Sequence, residues 1–173
     1  MAGFKKGPDV ICDFRDVGVT LTNLDQVILE VKVCVRDPKK DVKLDWSVCE
    51  FLTGTDSNIL GIPPINPTAT VRYNLCRDGD PIASQITSAL EIRYFDILGG
   101  IGQSMTFNQN SQPNFTFCDT PPKLGVVCYQ LKARIEPTPD PSQQTSRSTV
   151  ADRSLAAVCI DRKPEVKSTE KKK

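Results

Sequence analysis

Histidine is absent from the 173 residues, and aromatic side chains are few: one Trp, three Tyr and seven Phe. Without histidine the chain lacks the commonest general base and the imidazole ligand of most catalytic zinc sites. Neither charge predominates, since 22 Lys and Arg stand against 21 Asp and Glu. A balanced chain has no field to hold a polyanion, so nucleic acid is not an expected partner. No apolar run is long enough to cross a bilayer, and the opening MAGFKKGPDVICDF lacks the apolar core of a secretion signal. The expectation is a product made in the cytosol without a signal peptide and not inserted in a membrane. Helical periodicity is missing too, with no segment of about twelve residues holding a 3.6-residue repeat.

What the chain has is alternation. In Val27 to Arg36, VILEVKVCVR, residues Leu29, Val31, Val33 and Val35 share one face, and Glu30, Lys32, Cys34 and Arg36 the other. Val42 to Leu52 keeps Leu44, Trp46 and Val48 in one phase, then switches phase at Cys49 and Phe51, as a bulge would allow. Thr68 to Cys76 aligns Val71, Tyr73 and Leu75. Further strands are expected at Val10 to Phe14, Leu90 to Phe95, Ser104 to Cys118 with a break near Pro113, Val126 to Ile135, and Thr149 to Ile160. The joints DPKKD, RDGDP, GGIG, DTPP and EPTPDPSQQTSRS hold most of the prolines, and Thr53 to Pro67 reads as a surface loop. Eight half-polar strands need a second sheet over their apolar faces. The expected fold is therefore an all-β, eight-stranded antiparallel two-sheet sandwich with jelly-roll topology. One domain over 10–162 carries a flexible arm at 1–9 and a disordered basic tail at 163–173.

Seven cysteines are many for a reducing compartment, and the number is odd. A chain of this length can bury a core without disulfides, so folding does not require them. Cys34, Cys76, Cys118 and Cys128 each fall in the phase opposite to Val and Leu, toward solvent or a neighbouring molecule, while Cys49 breaks phase. If successive strands alternate in direction, Cys12, Cys34, Cys76, Cys118, Cys128 and Cys159 gather at one end of the sandwich. Only Cys49 lies toward the other. Jelly-roll order would make the strands of Cys34, Cys128 and Cys76 neighbours in one sheet and bring Cys12 near Cys159 in the other. Some of these could bond within the subunit if their Cα atoms came within about 7 Å. The expectation is a cross-linking end built from those six cysteines, with Cys49 a lesser candidate.

Other thiol chemistry fits poorly. Zinc sites commonly use a close C-x2-4-C pair, whereas the closest cysteines here, Cys118 and Cys128, have nine residues between them. There is no C-x-x-C and no histidine to activate a thiol. The pairs Asp13/Asp16 and Asp78/Asp80 read as solvated turn or strand-end residues. GGIG at 99 to 102 is followed by neither a helix pattern nor GK[ST], so it is no phosphate cradle. Asn114-Phe115-Thr116 matches a glycosylation sequon but has no secretion signal to give it use. Enzyme activity, cofactors and a resident metal are not expected.

The ordered pieces Ile11-Cys12, VKVCVRDP (Val31 to Pro38), YNLCRD (Tyr73 to Asp78), NFTFCDT with CYQLKA (Asn114 to Thr120, Cys128 to Ala133) and SLAAVCID (Ser154 to Asp161) carry a resemblance. The chain resembles cysteine-containing jelly-roll spore-surface proteins of Firmicutes, among them an uncharacterised clostridial family and, more distantly, the endospore appendage (Ena) fibre subunits. The resemblance implies a self-assembling subunit whose partners are copies of itself in a filament, possible related subunits included. It implies disulfide cross-links and a place on the spore surface or outside the cell after synthesis in the mother cell. The arm at 1–9 would be a connector, with Cys12, Cys34, Cys128 and Cys159 as acceptors or internal pairs. No cysteine precedes Cys12, so the arm would dock through Phe4 instead. Two other classes compete: a carbohydrate- or ligand-binding, adhesin-like module, for which spare aromatics are few, and a thiol-rich metal-binding protein.

Overall fold

The computed structural model describes residues 10–58, 70–88, 103–136 and 144–162. The expected strand Leu90 to Phe95, the arm with Phe4, the tail and most of the Thr53 to Pro67 loop lie outside these residues. The described chain forms β1 (Val10–Arg15), β2 (Val19–Thr20), β3 (Gln26–Val35), β4 (Lys40–Asn58), β5 (Thr70–Arg77), β6 (Asp80–Ser88), β7 (Gln103–Ser111), β8 (Asn114–Asp119), β9 (Gly125–Ile135) and β10 (Gln144–Asp161). One sheet runs β1-β10-β4-β7, with β2 also on β10 and β8 also on β4; the other runs β3-β9-β5-β6. Every pairing is antiparallel. Two facing antiparallel sheets between which the chain crosses from β2 to β3, β3 to β4, β4 to β5, β6 to β7, β8 to β9 and β9 to β10 form a jelly roll.

The described strands number ten, not eight. Asp16 to Gly18 interrupt the first expected strand's continuation, so β1 and β2 meet β10 separately. Pro113 divides the Ser104 to Cys118 strand, because a proline has no N–H for the ladder. Its carbonyl still accepts from the Val48 amide at 3.1 Å, between the stretches of β4 that pair with β8 and β7. β6 has no expected counterpart, for a physical reason. Register opposite β5 turns Ala83, Gln85 and Thr87 inward, while Ile86 is exposed, the inverse of the usual pattern.

β4 also corrects the expected phase switch. Val42, Leu44, Trp46, Val48, Glu50 and Leu52 are all buried, and Phe51 is 44% exposed. The strand keeps one phase and carries a glutamate into the core. The register shift of this pair lies instead in β10, between Ala151 and Ser154, where Asp152 has φ 41°. Arg153, inside that shift, is 4% exposed. Its guanidinium donates to the carbonyls of Ile28 (3.2 Å), Val17 (2.7 Å) and Val150 (2.9 Å).

Between the sheets pack Val42, Leu44, Val48 and Leu155 from one side and Val71, Val127, Tyr129 and Leu131 from the other. Trp46 bridges the layers, with its ring centroid 5.1 Å from that of Tyr73. The side where β1 meets β3 is closed by polar contacts: the Glu30 amide donates to Asp13 Oδ2 at 3.0 Å, and Arg153 takes the Ile28 carbonyl. An edge capped in this way offers fewer groups for stray pairing.

Candidate cross-linking surface

Register places the cysteines along each sheet. In the first sheet, Cys159 lies opposite Val42, Cys118 opposite Lys43, and Cys12 opposite Ala156, which itself pairs with Asp45. In the second, Cys34 lies opposite Val126, Cys128 opposite Lys32, and Cys76 opposite Gln130. The β3 to β4 turn joins Val35 to Lys40, so these are one end of the sandwich. Cys49, opposite Ala151, sits farther along β4, and the Gln112 side-chain amide approaches its sulfur at 3.6 Å.

Faces separate the six. Cys12, Cys34 and Cys118 are exposed, and Cys128 is half-buried on the outer side of its sheet. Cys76 departs from the expectation. Its phase points outward, but it is only 3% exposed, flanked in register by Pro81 and Gln130 where the β5–β6 pairing shifts. Burial pushes its thiol up, with Lys132 opposing. Cys159 packs against the core, so it faces inward while Cys12 faces outward on the neighbouring strand.

No two cysteines are joined within the subunit, and the register explains why. Cys34 and Cys128 occupy adjacent strands two residues out of step, as do Cys128 and Cys76. Strand spacing and rise put such pairs about 8 Å apart at Cα, beyond the roughly 7 Å limit of a bridge. Cys12 and Cys159, expected to come close, are three residues out of step and on opposite faces; the same geometry gives about 11 Å. Among the described residues no three Cys, Asp or Glu side chains gather as metal ligands would.

The frame beneath the thiols is tightly bonded. Tyr129 O–H donates to Asp119 Oδ2 at 2.7 Å, and Arg77 Nη1 to Asp119 Oδ1 at 2.7 Å, tying the sheets together at the cysteine end. The Asp78 amide donates to the Cys128 carbonyl (2.8 Å), and the Cys128 amide to Asp78 Oδ1 (2.9 Å). That second bond, with Lys123 assisting, holds the Asp78 carboxyl below its ordinary range. Burial raises the Cys128 thiol; the Glu30 carboxylate adds to the rise and Lys32 opposes it. Glu30 is itself lowered by the Gln130 side-chain amide, 2.7 Å away, and by Lys32.

Two exposed apolar patches accompany the thiols. On the first sheet's outer face, Val10 (59% exposed) and Phe14 (65%) flank Cys12 along edge strand β1. On the second sheet's outer face, Val126 (64%) lies directly opposite Cys34, with Leu124 exposed just before β9. Alternation signalled the outward cysteines; Asp119 and Arg77 gave no such sign. Glu50 did carry a signal, since it shares the phase of Val48 and Leu52.

No protein-family profile matches the chain, and no curated protein matches it. Solved structures do. The chain is similar to the subunit of T=1 particles derived from infectious bursal virus, at 12% identity and a TM-score of 0.38, over 90% of this chain and 32% of that one. It is also similar to the VP2 subviral particle of infectious bursal disease virus, at 13% identity and a TM-score of 0.37, over 90% and 33%. The chain thus spans about a third of the length of each.

Proposed function

We propose that the protein is a structural subunit that polymerises with copies of itself into a fibre on the spore surface or outside the cell, reinforced by disulfides between subunits. One observation carries this reading: two exposed thiols, Cys12 and Cys34, each sit in an apolar patch, on opposite outer faces of one end, with no partner within bridging distance in the same subunit. A contact between the β1 patch of one copy and the Val126 patch of the next uses two different surfaces. Such a heterologous contact leaves one patch unused at each end and repeats into an open filament unless rotation closes it. Burying Val10, Phe14, Leu124 and Val126 drives the contact. Two facing thiols then join by giving two electrons and two protons to an oxidant such as oxygen. The spore-surface setting rests on the sequence resemblance alone.

Electron microscopy of purified protein before and after oxidation tests the reading. Filaments that resist detergent until reductant is added are the expected result, and Phe14→Lys or Val126→Lys is expected to abolish them without unfolding the subunit. A protein that stays monomeric at high concentration under oxidising conditions overturns the proposal, as do filaments unchanged in both variants.

A further inference from the structure

Away from the cysteine end the core contains a carboxyl group that packing alone does not explain. Glu50 on β4 is 1% exposed, lies opposite Val150 of β10 and Ser111 of β7, and faces the second sheet. Its Oε2 accepts from Tyr73 O–H of β5 at 2.6 Å and from Thr87 Oγ1 of β6 at 2.9 Å. Its Oε1 is buried with no partner. Among the described residues, the groups turned toward it are Tyr73 from β5, Gln85 and Thr87 from β6, Ser111 from β7, and Val150 with Ser148 from β10. Tyr73 is the one titratable group in that set, and none is a cation. Asp119 at the other end has the Arg77 guanidinium on it.

We infer that Glu50 stands in the folded protein as a neutral carboxylic acid fastening the two sheets, and that its ionisation as pH rises loosens the β5–β6 side of the sandwich. One energetic argument and two geometric facts support this. An unpaired charge in an apolar interior is costly, and neutral hydroxyls offset little of that cost. A protonated Oε1 supplies a donor, and Gln85 Oε1, on the strand position directly opposite Tyr73, is a buried acceptor with none. Both hydroxyl bonds reach one oxygen, leaving the other to carry the proton. Burial moves the Glu50 carboxyl up from its ordinary range, with the Tyr73 and Thr87 hydrogen bonds partly offsetting the rise. A raised folded-state value means the contribution to stability is full below the ordinary glutamate range. It is then lost as pH climbs through the folded-state value.

The test is the unfolding midpoint of the reduced full-length protein between about pH 5 and about pH 9, for wild type and Glu50→Gln. Reductant keeps the measurement independent of any cross-linking, and cysteine ionisation affects both proteins alike. In wild type the unfolding equilibrium constant is expected to rise by up to about tenfold per pH unit until the folded carboxyl ionises. Glu50→Gln, which keeps the side chain's shape and cannot ionise, is expected to lose that slope. Parallel curves overturn the inference. Should the variant not fold, carbon-13 carboxyl spectra of wild type decide: one glutamate titrating well above the rest is expected, and all glutamates titrating in the ordinary range overturn it.

Discussion

Asp119 and Glu50 are both inward carboxyl groups bound by a tyrosine from the opposite sheet, and they differ in whether a cation joins that tyrosine. Asp119 accepts from the Tyr129 hydroxyl and from the Arg77 guanidinium, a cation. Replacing Asp119 by Ala leaves the buried Tyr129 hydroxyl without an acceptor, while Arg77, a quarter exposed, regains water. The expected cost is about 2 kcal/mol in urea unfolding under reductant; a change below about 0.5 kcal/mol would show that the link contributes only packing. Glu50 shares the phase of Val48 and Leu52, but the expected switch at Cys49 and Phe51 placed it on the outer face. Its tyrosine partner was not legible, because Tyr73 lies in the other sheet and only the stacking of layers brings them together.

At the scale of the element, β4 shows how composition misleads a phase reading. Phe51 is the more hydrophobic neighbour, yet Glu50 is the one inside, because backbone continuity through Val48 and Leu52 outweighs one side chain's preference. Leu52→Ala is accordingly expected to cost about 2 to 5 kcal/mol, and Phe51→Thr to stay within about 0.5 kcal/mol. Denaturant midpoints in the opposite order would restore the phase switch. The β5–β6 hairpin turns on Asp78 and Gly79, with φ of 49° and 99°. Two positive values are those of the type I′ turn, which suits the twist of a two-residue hairpin. A methyl group at Gly79 would meet open space, but its backbone conformation disfavours any side chain. Gly79→Ala is therefore expected to lower stability by about 1 kcal/mol, read as an earlier urea midpoint. The turn was visible in RDGDP; the strand after it was not, because two of its inward positions, Gln85 and Thr87, are polar while Ile86 is exposed.

For the whole molecule, two opposed proton linkages shape stability against pH. Asp78 is held low by the Cys128 amide, Glu136 by Arg72 and Arg134, and Asp45 by Lys43 and Thr116. Their contributions are present above the ordinary carboxylate range and fade as pH falls through the lowered folded values. Glu50 acts in the other direction. Stability should therefore peak in mildly acidic solution, and added salt should flatten the acid limb more than the alkaline one, since exposed pairs are screened and Glu50 is not. Thermal melts at low and high ionic strength check this; equal flattening of both limbs would place the alkaline loss on surface charges.

Alternation along the chain by itself determined that the protein is all-β, which of the described strands form where apolar residues face inward, and that Cys34, Cys118 and Cys128 point away from the core. Each of these follows from the period-two geometry of a strand, a local property. Tertiary structure alone decided that Cys76 is covered, that Cys12 and Cys159 stand on opposite faces, and that Glu50 meets Tyr73 and Thr87. Those facts depend on register between strands and on the facing of two sheets, where a shift of one residue reverses every side chain.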